Sequence, residues 1–482
     1  MQFNSYCYIL LFLPIVIAGY FLLNKFSVNA GKIFLISASI FFYVYAGWKM
    51  AIVLGLSILF NYTAVLMIRR GGRLQKAVLA IAVFVNAALL FVLKYYDFFI
   101  ENINLAFGTE FHLRNIFLPL GISFYTFQQI SCLVNAYKEE SANISFIDYV
   151  LYILYFPKLL MGPIIQPDDF VSQINTLKWK KIEWDHIACG IKLFSFGLFK
   201  KIVLADTFSA AVLWGYYNFD AATSMDWFLV MLFYTFEIYF DFSGYCDMAT
   251  GSSLMLNITL PINFDSPYKA LSIRDFWRRW HISLTSFLTQ YIYIPLGGSK
   301  KGRMRTGINT MIVFLISGLW HGANWTFILW GGIHGVLSVA ERGLEKYQKK
   351  FMETLRWGIT FLSVNILWLL FRSDSIEQWR NILGKMFSFQ DMSVSEGLLN
   401  VFHLPESALL NDMLHLGGLM NNVRGLWLLI FTVSAWLICL IPENNYRKML
   451  KNNYIFMILA AAAFVWSFLC LSSESVFVYF NF

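Results

Sequence analysis

His321 lies in the run SGLWHGANWTFILWGGIHG, inside a stretch with no Asp, Glu, Lys or Arg from Thr306 to Ala340. A stretch this apolar can cross a bilayer, for which about 20 residues suffice. An ionisable side chain at that depth is expensive and by default marks a functional site. Imidazole also exchanges protons near neutral pH, so general acid–base chemistry inside a membrane is the first expectation. A second imidazole, His281, ends the run DFWRRWH, beside Arg278, Arg279 and Trp280. Both histidines follow a tryptophan, and His321 precedes Gly322. An indole on one side and a missing side chain on the other predict a slot beside His321 rather than a filled core. A buried imidazole satisfied by a neighbouring helix fits the same residues. His334, in WGGIHGV, reads as packed and hydrogen-bonded, and His112, His186, His403 and His415 as loop or interfacial residues.

Other chemistries find less support. No HxxxH or HxxEH spacing occurs, so no metal site is expected, because zinc takes three or four closely placed ligands. The six cysteines are scattered without a CxxC pair and read as small buried hydrophobes. The GxSxG elbow of serine hydrolases is absent, as are GxGxxG and Walker A patterns. FEIYFDFSGYCDMATG carries Glu237, Asp241 and Asp247 in or beside an apolar run. Glu237 and Asp241, four apart, share a helix face. Such acids line a proton or ion path or pair with cations; structural pairing with Arg274, Arg278 or Arg279 is the expected role.

The elements that position these residues follow from composition. Of 482 residues, 58% are hydrophobic and 14% charged, against about 25% charged in a soluble domain. Mean hydropathy is +0.58. The expected fold class is an all-α polytopic membrane protein, since backbone groups in lipid must be satisfied internally. The alternation of an outer-membrane barrel is missing. Twelve stretches read as crossings: about 6–24, 33–48, 50–68, 77–96, 147–165, 187–204, 227–246, 307–322, 324–340, 355–371, 425–442 and 453–472. The first is expected to be a retained helix, not a cleaved signal.

The net charge of +8 comes from short basic clusters between apolar runs, which signal topology and not nucleic-acid binding. The clusters are Arg69 to Arg73, Lys178 to Lys181, Lys300 to Arg305, Arg342 to Lys350, and Arg447 to Lys451. With an outside N-terminus all five fall on the cytoplasmic side. Segments 116–134 and 250–296, broken by prolines and polar residues, read as re-entrant or in-plane pieces. Irregular backbone at membrane depth needs shielding by protein or a cavity, so a central cavity is expected. One membrane domain, 1–482, is the simplest organisation. Residues 373–424 are expected as an extracytoplasmic loop or surface helix, and 473–482 as an extracytoplasmic aromatic tail.

Three strings carry a family resemblance: YFDFSGYCDMATG, LPINFDSPYKALSIRDFWRRWHISLTSFLTQYIYIPLGG and SGLWHGANWTFILWGGIHG. Weaker agreement lies in FPKLLMGPI, LPLGISFYTFQ and FRSDSIEQW. Together they resemble the membrane-bound O-acyltransferase family, most closely its bacterial alginate O-acetyltransferase branch, and more distantly the D-alanyl transfer proteins of teichoic acid modification. The resemblance implies a helical bundle with re-entrant pieces around a tunnel. It makes His321 the central catalytic residue, acting as general base, and His281 the second polar position, holding the donor or stabilising an oxyanion. Arg278, Arg279, Trp280, Trp320 and Asn324 become candidates for donor or substrate contact. The tail FVYFNF resembles a Phe-x-Tyr-Phe-x-Phe motif, which makes Tyr479 a candidate acyl carrier; an interfacial aromatic tail is the alternative.

The implied donor is an acyl thioester, acetyl-CoA first among them, with no bound cofactor. The implied partners are an extracytoplasmic SGNH or esterase-like acyltransferase and a cell-surface polysaccharide, in the cytoplasmic membrane of a bacterium. Acylation of teichoic acid or peptidoglycan stays open. So do a transporter or lipid-linked flippase, and a scaffold for a secreted acetyltransferase.

Overall fold

The computed structural model describes residues 1–116, 118–138, 144–176, 181–348, 351–402, 425–440, 454–471 and 477–478. Lys178, Lys180, Lys349, Lys350, His403, His415, Arg447, Lys448, Lys451 and Tyr479 lie outside the described residues. Among the described residues every regular element is helical.

The first four helices are α1 (Cys7–Phe26), α2 (Val28–Val44), α3 (Trp48–Arg69) and α4 (Gln75–Phe107). Their outward faces carry large apolar side chains, such as Leu56 at 64% and Phe84 at 71% exposure, which suits lipid as the solvent. Polar groups turn inward instead. Asn61 of α3 donates to Asn86 of α4 (3.1 Å) and to Gln129 of α5 (3.0 Å), where α5 is Ile122–Tyr137. Interhelical amide bonds of this kind hold bundles together in lipid, where no hydrophobic force acts between helices.

The chain is broken where the sequence disfavours continuous helix. Gly121, just before α5, has φ +73°, and a Cβ there would lie 2.6 Å from the Leu159 carbonyl oxygen. Only glycine meets both demands. Segment 147–165, expected as one crossing, is instead α6 (Phe146–Leu154) and the single turn α7 (Phe156–Leu159). Tyr155 between them is non-helical, with ψ 106°. Pro157 explains the break: a proline ends the preceding helix and is accommodated in the first turn of the next. Nine residues of helix span only about 14 Å, too short to cross.

Next come α8 (Pro167–Asn175), α9 (Trp184–Phe199), α10 (Asp206–Tyr217) and the 32-residue α11 (Ser224–Met255). A wider π-helical turn, Lys200–Ala205, joins α9 to α10. Glycines seven apart on both α9 and α11 let these helices touch through their backbones. A Cβ on Gly197 would lie 2.7 Å from Gly244 O and 2.8 Å from Met248 N, and one on Gly190 would lie 2.6 Å from Gly251 O. Gly197→Leu is therefore expected to lower stability by about 1–3 kcal/mol or more through overpacking. Gly55→Leu is the control, because a Cβ there meets nothing within 4 Å. Thermal midpoints in detergent check this: Gly197→Leu falls and Gly55→Leu does not.

Segment 250–296 holds the short helices α12 (Ile273–Arg279) and α13 (Ile282–Leu288). After them α14 (Gly302–His321) and α15 (Trp325–Gln348) form a hairpin, followed by α16 (Glu353–Arg372). Then α17 (Ile376–Met386) and α18 (Glu396–Val401) dock on the start of α11, where Ser395 N donates to Asp226 (3.0 Å). Two apolar helices, α19 (Leu426–Leu440) and α20 (Tyr454–Leu469), complete the described chain. Cys7–Phe26, Trp48–Arg69, Gln75–Phe107 and Glu353–Arg372 are long and apolar enough to cross a membrane; α2, α19 and α20 are shorter apolar helices.

Candidate active site

His321 is the last residue of α14, and the chain turns at Gly322–Asn324 into α15. This helix end is heavily tied. Lys94 Nζ donates to the carbonyl oxygens of Trp320 (2.6 Å) and His321 (3.0 Å), and Tyr95 OH donates to Leu319 O (2.7 Å). The last turn of a helix leaves its carbonyls without intrahelical donors, and a cation there is favourable for the helix dipole. Asn324 Oδ1 accepts from Thr326 N (3.0 Å), which caps α15, while its Nδ2 donates to Asp374 O beyond α16 (2.9 Å). The backbone of His321 is thus fixed from α4, α15 and α16.

The imidazole of His321 packs edge-on against Trp320 (4.9 Å between ring centroids), Trp330 (5.2 Å) and Phe371 (5.1 Å). The slot expected beside Gly322 is filled. A Cβ on Gly322 would lie 2.2 Å from the Phe327 ring, so the missing side chain admits a phenyl ring of the same hairpin.

His281 starts α13 with φ +45° and ψ 53°. Its Nδ1 is 3.1 Å from Asn263 Oδ1, and its ring packs against Phe242 (4.8 Å) and Trp320 (6.1 Å). The fold therefore brings both Trp-His histidines to one indole, Trp320. His334 is packed and hydrogen-bonded, accepting from Trp277 Nε1 at 3.3 Å. Trp280 is fully buried between Phe276 (5.5 Å) and Trp368 (4.9 Å).

Two cavities are lined by residues that pack on or near this cluster. One, of about 390 Å³, is lined by Arg274, Arg278 and Arg342, with Trp277 and Phe314 as apolar wall. It has no Asp or Glu in its lining. The other, of about 580 Å³, is lined by Asp206, Ser209, Glu237, Asn324, Arg372 and Asp374, with Phe327 and Phe371 as apolar wall. Between them runs a row of rings: Trp277 to Trp330 (5.5 Å), Trp330 to His321 (5.2 Å), and His321 to Phe371 (5.1 Å). His321 lies within this row: it touches Phe371 of the second cavity's wall directly and is separated from Trp277 of the first by Trp330. Among the described residues no group of three or more His, Cys, Asp or Glu is placed to hold a metal ion.

The intramembrane acids pair, but not with the expected arginines. Lys201 Nζ lies 2.8 Å from both Asp241 and Asp206, and Lys200 Nζ lies 2.6 Å from Asp247. Arg279 pairs with Asp275 (3.0 Å) and reaches Asp265 O (3.3 Å), so it serves the turn around α12 and does not line the arginine cavity. Arg274 pairs with Glu345 (3.7 Å). Glu237 lines the carboxylate cavity; Ser209 lies within hydrogen-bonding reach of its carboxyl. Val478 also lines this cavity, and its N–H donates to Asp241 (3.0 Å) while the neighbouring Phe477 ring lies over Lys201 (4.6 Å). Lys94, Lys201 and Asn263 were not singled out from sequence, and Arg342 only as part of a basic cluster. The lysines carried a local signal: Lys94 interrupts the apolar run 77–96 and Lys200-Lys201 the run 187–204, and such cations demand buried partners.

Comparison with known proteins agrees with this architecture. Residues 35–373 match the family model described as MBOAT, membrane-bound O-acyltransferase. A protein named peptidoglycan O-acetyltransferase from Helicobacter pylori is 36% identical, over 100% of this chain and 98% of its own length. A probable alginate O-acetylase AlgI from Pseudomonas putida is 38% identical over 82% of each chain. A teichoic acid D-alanyltransferase from Bacillus subtilis is 30% identical over 52% of this chain and 66% of its own.

Proposed function

The chain belongs to the membrane-bound O-acyltransferase family and is an integral membrane acyltransferase; from that premise we propose that it carries acetyl groups from cytoplasmic acetyl-CoA across a bacterial cytoplasmic membrane for O-acetylation of an extracytoplasmic polysaccharide. The observation that carries this reading is a pair of cavities of different character joined by the row of rings that holds His321. Three arginines in a lining without Asp or Glu, Arg274 among them paired with Glu345 outside that lining, suit the phosphates of CoA, which guanidinium groups bind through paired charge-assisted hydrogen bonds. That cavity lies beside the basic segment 300–305, which the positive-inside rule puts in the cytoplasm. The carboxylate cavity then faces outward and receives the hydroxyl acceptor.

In the reaction the acceptor oxygen bonds to the acyl carbon and the carbon–sulfur bond breaks. The hydroxyl proton passes through an imidazole to the departing sulfur, so CoA leaves as its thiol. His321 and His281 are the catalytic pair: one takes the proton, and the other donates to the carbonyl oxygen as it gains charge. Tyr479 is the proposed carrier on the outer side, handing acetyl to an SGNH-like partner. Support for the carrier is that Val478, its neighbour in sequence, lines the outer cavity. The span of the likeness to the Helicobacter pylori protein, the whole chain against 82%, favours peptidoglycan over alginate as the polymer.

The test uses the full chain in proteoliposomes with acetyl-CoA, reading release of free CoA thiol. Arg278→Gln is expected to raise KM for acetyl-CoA about 10–100-fold, the loss of one or two charge-assisted bonds of about 1.5–3 kcal/mol, with kcat little changed. An unchanged KM removes the arginine cavity as donor site. Glycan movement without thiol release would instead favour a flippase. Tyr479→Phe separates the carrier: full polymer acetylation by that variant excludes it.

A further inference from the structure

We propose that Asn263 is a positioning residue for the acyl-transfer reaction, holding His281 with its hydrogen on Nδ1 so that Nε2 is the proton acceptor at the partition. The proposal rests on the acyl-transfer reading and assigns the two histidine roles left open there. It differs from the oxyanion-stabilising role expected for His281 from sequence.

The argument runs through hydrogen-bond polarity. Ser283 N donates to Asn263 Oδ1 at 3.1 Å. A backbone N–H only donates, so the amide atom there is oxygen. Asn263 Nδ2 correspondingly points to Cys246 Sγ at 3.3 Å. The same Oδ1 lies 3.1 Å from His281 Nδ1 and accepts from Ser283 Oγ at 2.9 Å. An amide oxygen has no hydrogen to give, so Nδ1 carries it, and in a neutral imidazole Nε2 is then a bare lone pair. His281 Nε2 is buried and has no hydrogen-bond partner among the described residues. A lone pair there repels an oxyanion but accepts a hydroxyl proton.

Backbone strain supports a designed arrangement. His281 sits at φ +45°, a left-handed conformation costing about 1–2 kcal/mol for a residue with a Cβ. Such strain persists where the surroundings over-determine it and clusters at functional sites. Asn263 supplies that determination, because its backbone oxygen also accepts from Ile282 N at 3.0 Å. Three consecutive residues, 281–283, are thus bound to one asparagine. Trp320, whose ring lies between the imidazoles, has a buried Nε1–H without a partner among the described residues. An acceptor and a donor beside His321 are therefore left for a substrate carrying both a hydroxyl and a carbonyl.

The balanced step follows. The acceptor O–H gives its proton to His281 Nε2 as oxygen bonds to the acyl carbon. The carbon–sulfur bond breaks, and the imidazolium returns the proton to sulfur. His321 is then the donor to the carbonyl oxygen.

The test is nitrogen-15 NMR of histidine-labelled full-length protein in lipid nanodiscs, with the His281 signals assigned by their loss in His281→Gln. Wild type is expected to show Nδ1 protonated and Nε2 bare. Asn263→Asp keeps an acceptor and is expected to keep the tautomer, with kcat for acetyl-CoA turnover within about tenfold; Asn263→Leu loses the tautomer and about 10²–10⁴-fold in kcat, with KM for acetyl-CoA little changed. A protonated Nε2 in wild type, or full kcat in Asn263→Leu, overturns the proposal even if thiol release is normal. A wild-type protein with the expected tautomer and no thiol release would instead defeat the acyl-transfer reading beneath it.

Discussion

His321→Ala is expected to lower acetyl-CoA turnover by at least about 10²-fold, the loss that follows removal of one donor to a developing oxyanion, while the protein stays folded and inserted. Folding survives because the contacts that hold this helix end are made to backbone. Lys94 and Tyr95 bind the carbonyls of residues 319–321, and none of those bonds needs the imidazole. The ring packs against Trp320, Trp330 and Phe371, so its removal opens space in the partition. His321→Gln sharpens the result, since glutamine keeps an N–H donor but cannot act as a base near neutral pH. If His321 donates to the carbonyl oxygen, Gln retains more activity than Ala; if His321 is the base, both variants are equally dead. Thiol release, polymer O-acetyl content and the thermal midpoint in detergent measure the three quantities. Normal acetylation by the Ala variant removes His321 from the mechanism.

Local patterns in the sequence carried the helices and the two histidines. Apolar runs at membrane length are visible without a fold, and helix occupies most of each expected stretch, though in 147–165 it is split in two at Tyr155. There Pro157 was in plain view, but the hydrophobicity around it outweighed the break it imposes. The slot at Gly322 failed for another reason: the ring that fills it, Phe327, comes back from the next helix. Partner choice was the least legible feature. Asp241 and Asp247 were placed with arginines near in sequence, whereas a glycine-mediated approach of α9 and α11 delivers Lys200 and Lys201 to them. Asn263 was invisible as a positioning residue because its partners start only 18 residues later, across an irregular segment. Trp280 and Arg279, next to His281 in sequence, line neither the arginine cavity nor the carboxylate cavity.

Lys201→Met is the substitution expected to cost the most stability. The Lys201 and Asp241 side chains are 2% and 1% exposed, so removing the cation leaves a buried carboxylate without its counter-charge. Breaking a buried pair on one side costs about 3–5 kcal/mol, whereas replacing both partners by apolar groups is often neutral or stabilising. The double variant Lys201→Met with Asp241→Leu should therefore recover most of the thermal midpoint lost in Lys201→Met. Asp206, the second partner of Lys201, is 26% exposed and keeps water as a counter-solvent. Stability and function should then separate. Asp241 also accepts the Val478 N–H, and Lys201 lies under the Phe477 ring, so the double variant restores the bundle without restoring the anchor of segment 477–478. If Tyr479 carries the acetyl group, that stable protein should release less CoA thiol and deposit less acetyl on polymer, because the hydroxyl that takes the acetyl is no longer held in place. A double variant that acetylates polymer like wild type would show that the anchor plays no part in transfer, and one that stays as unstable as Lys201→Met would show that the pair is not the source of the loss.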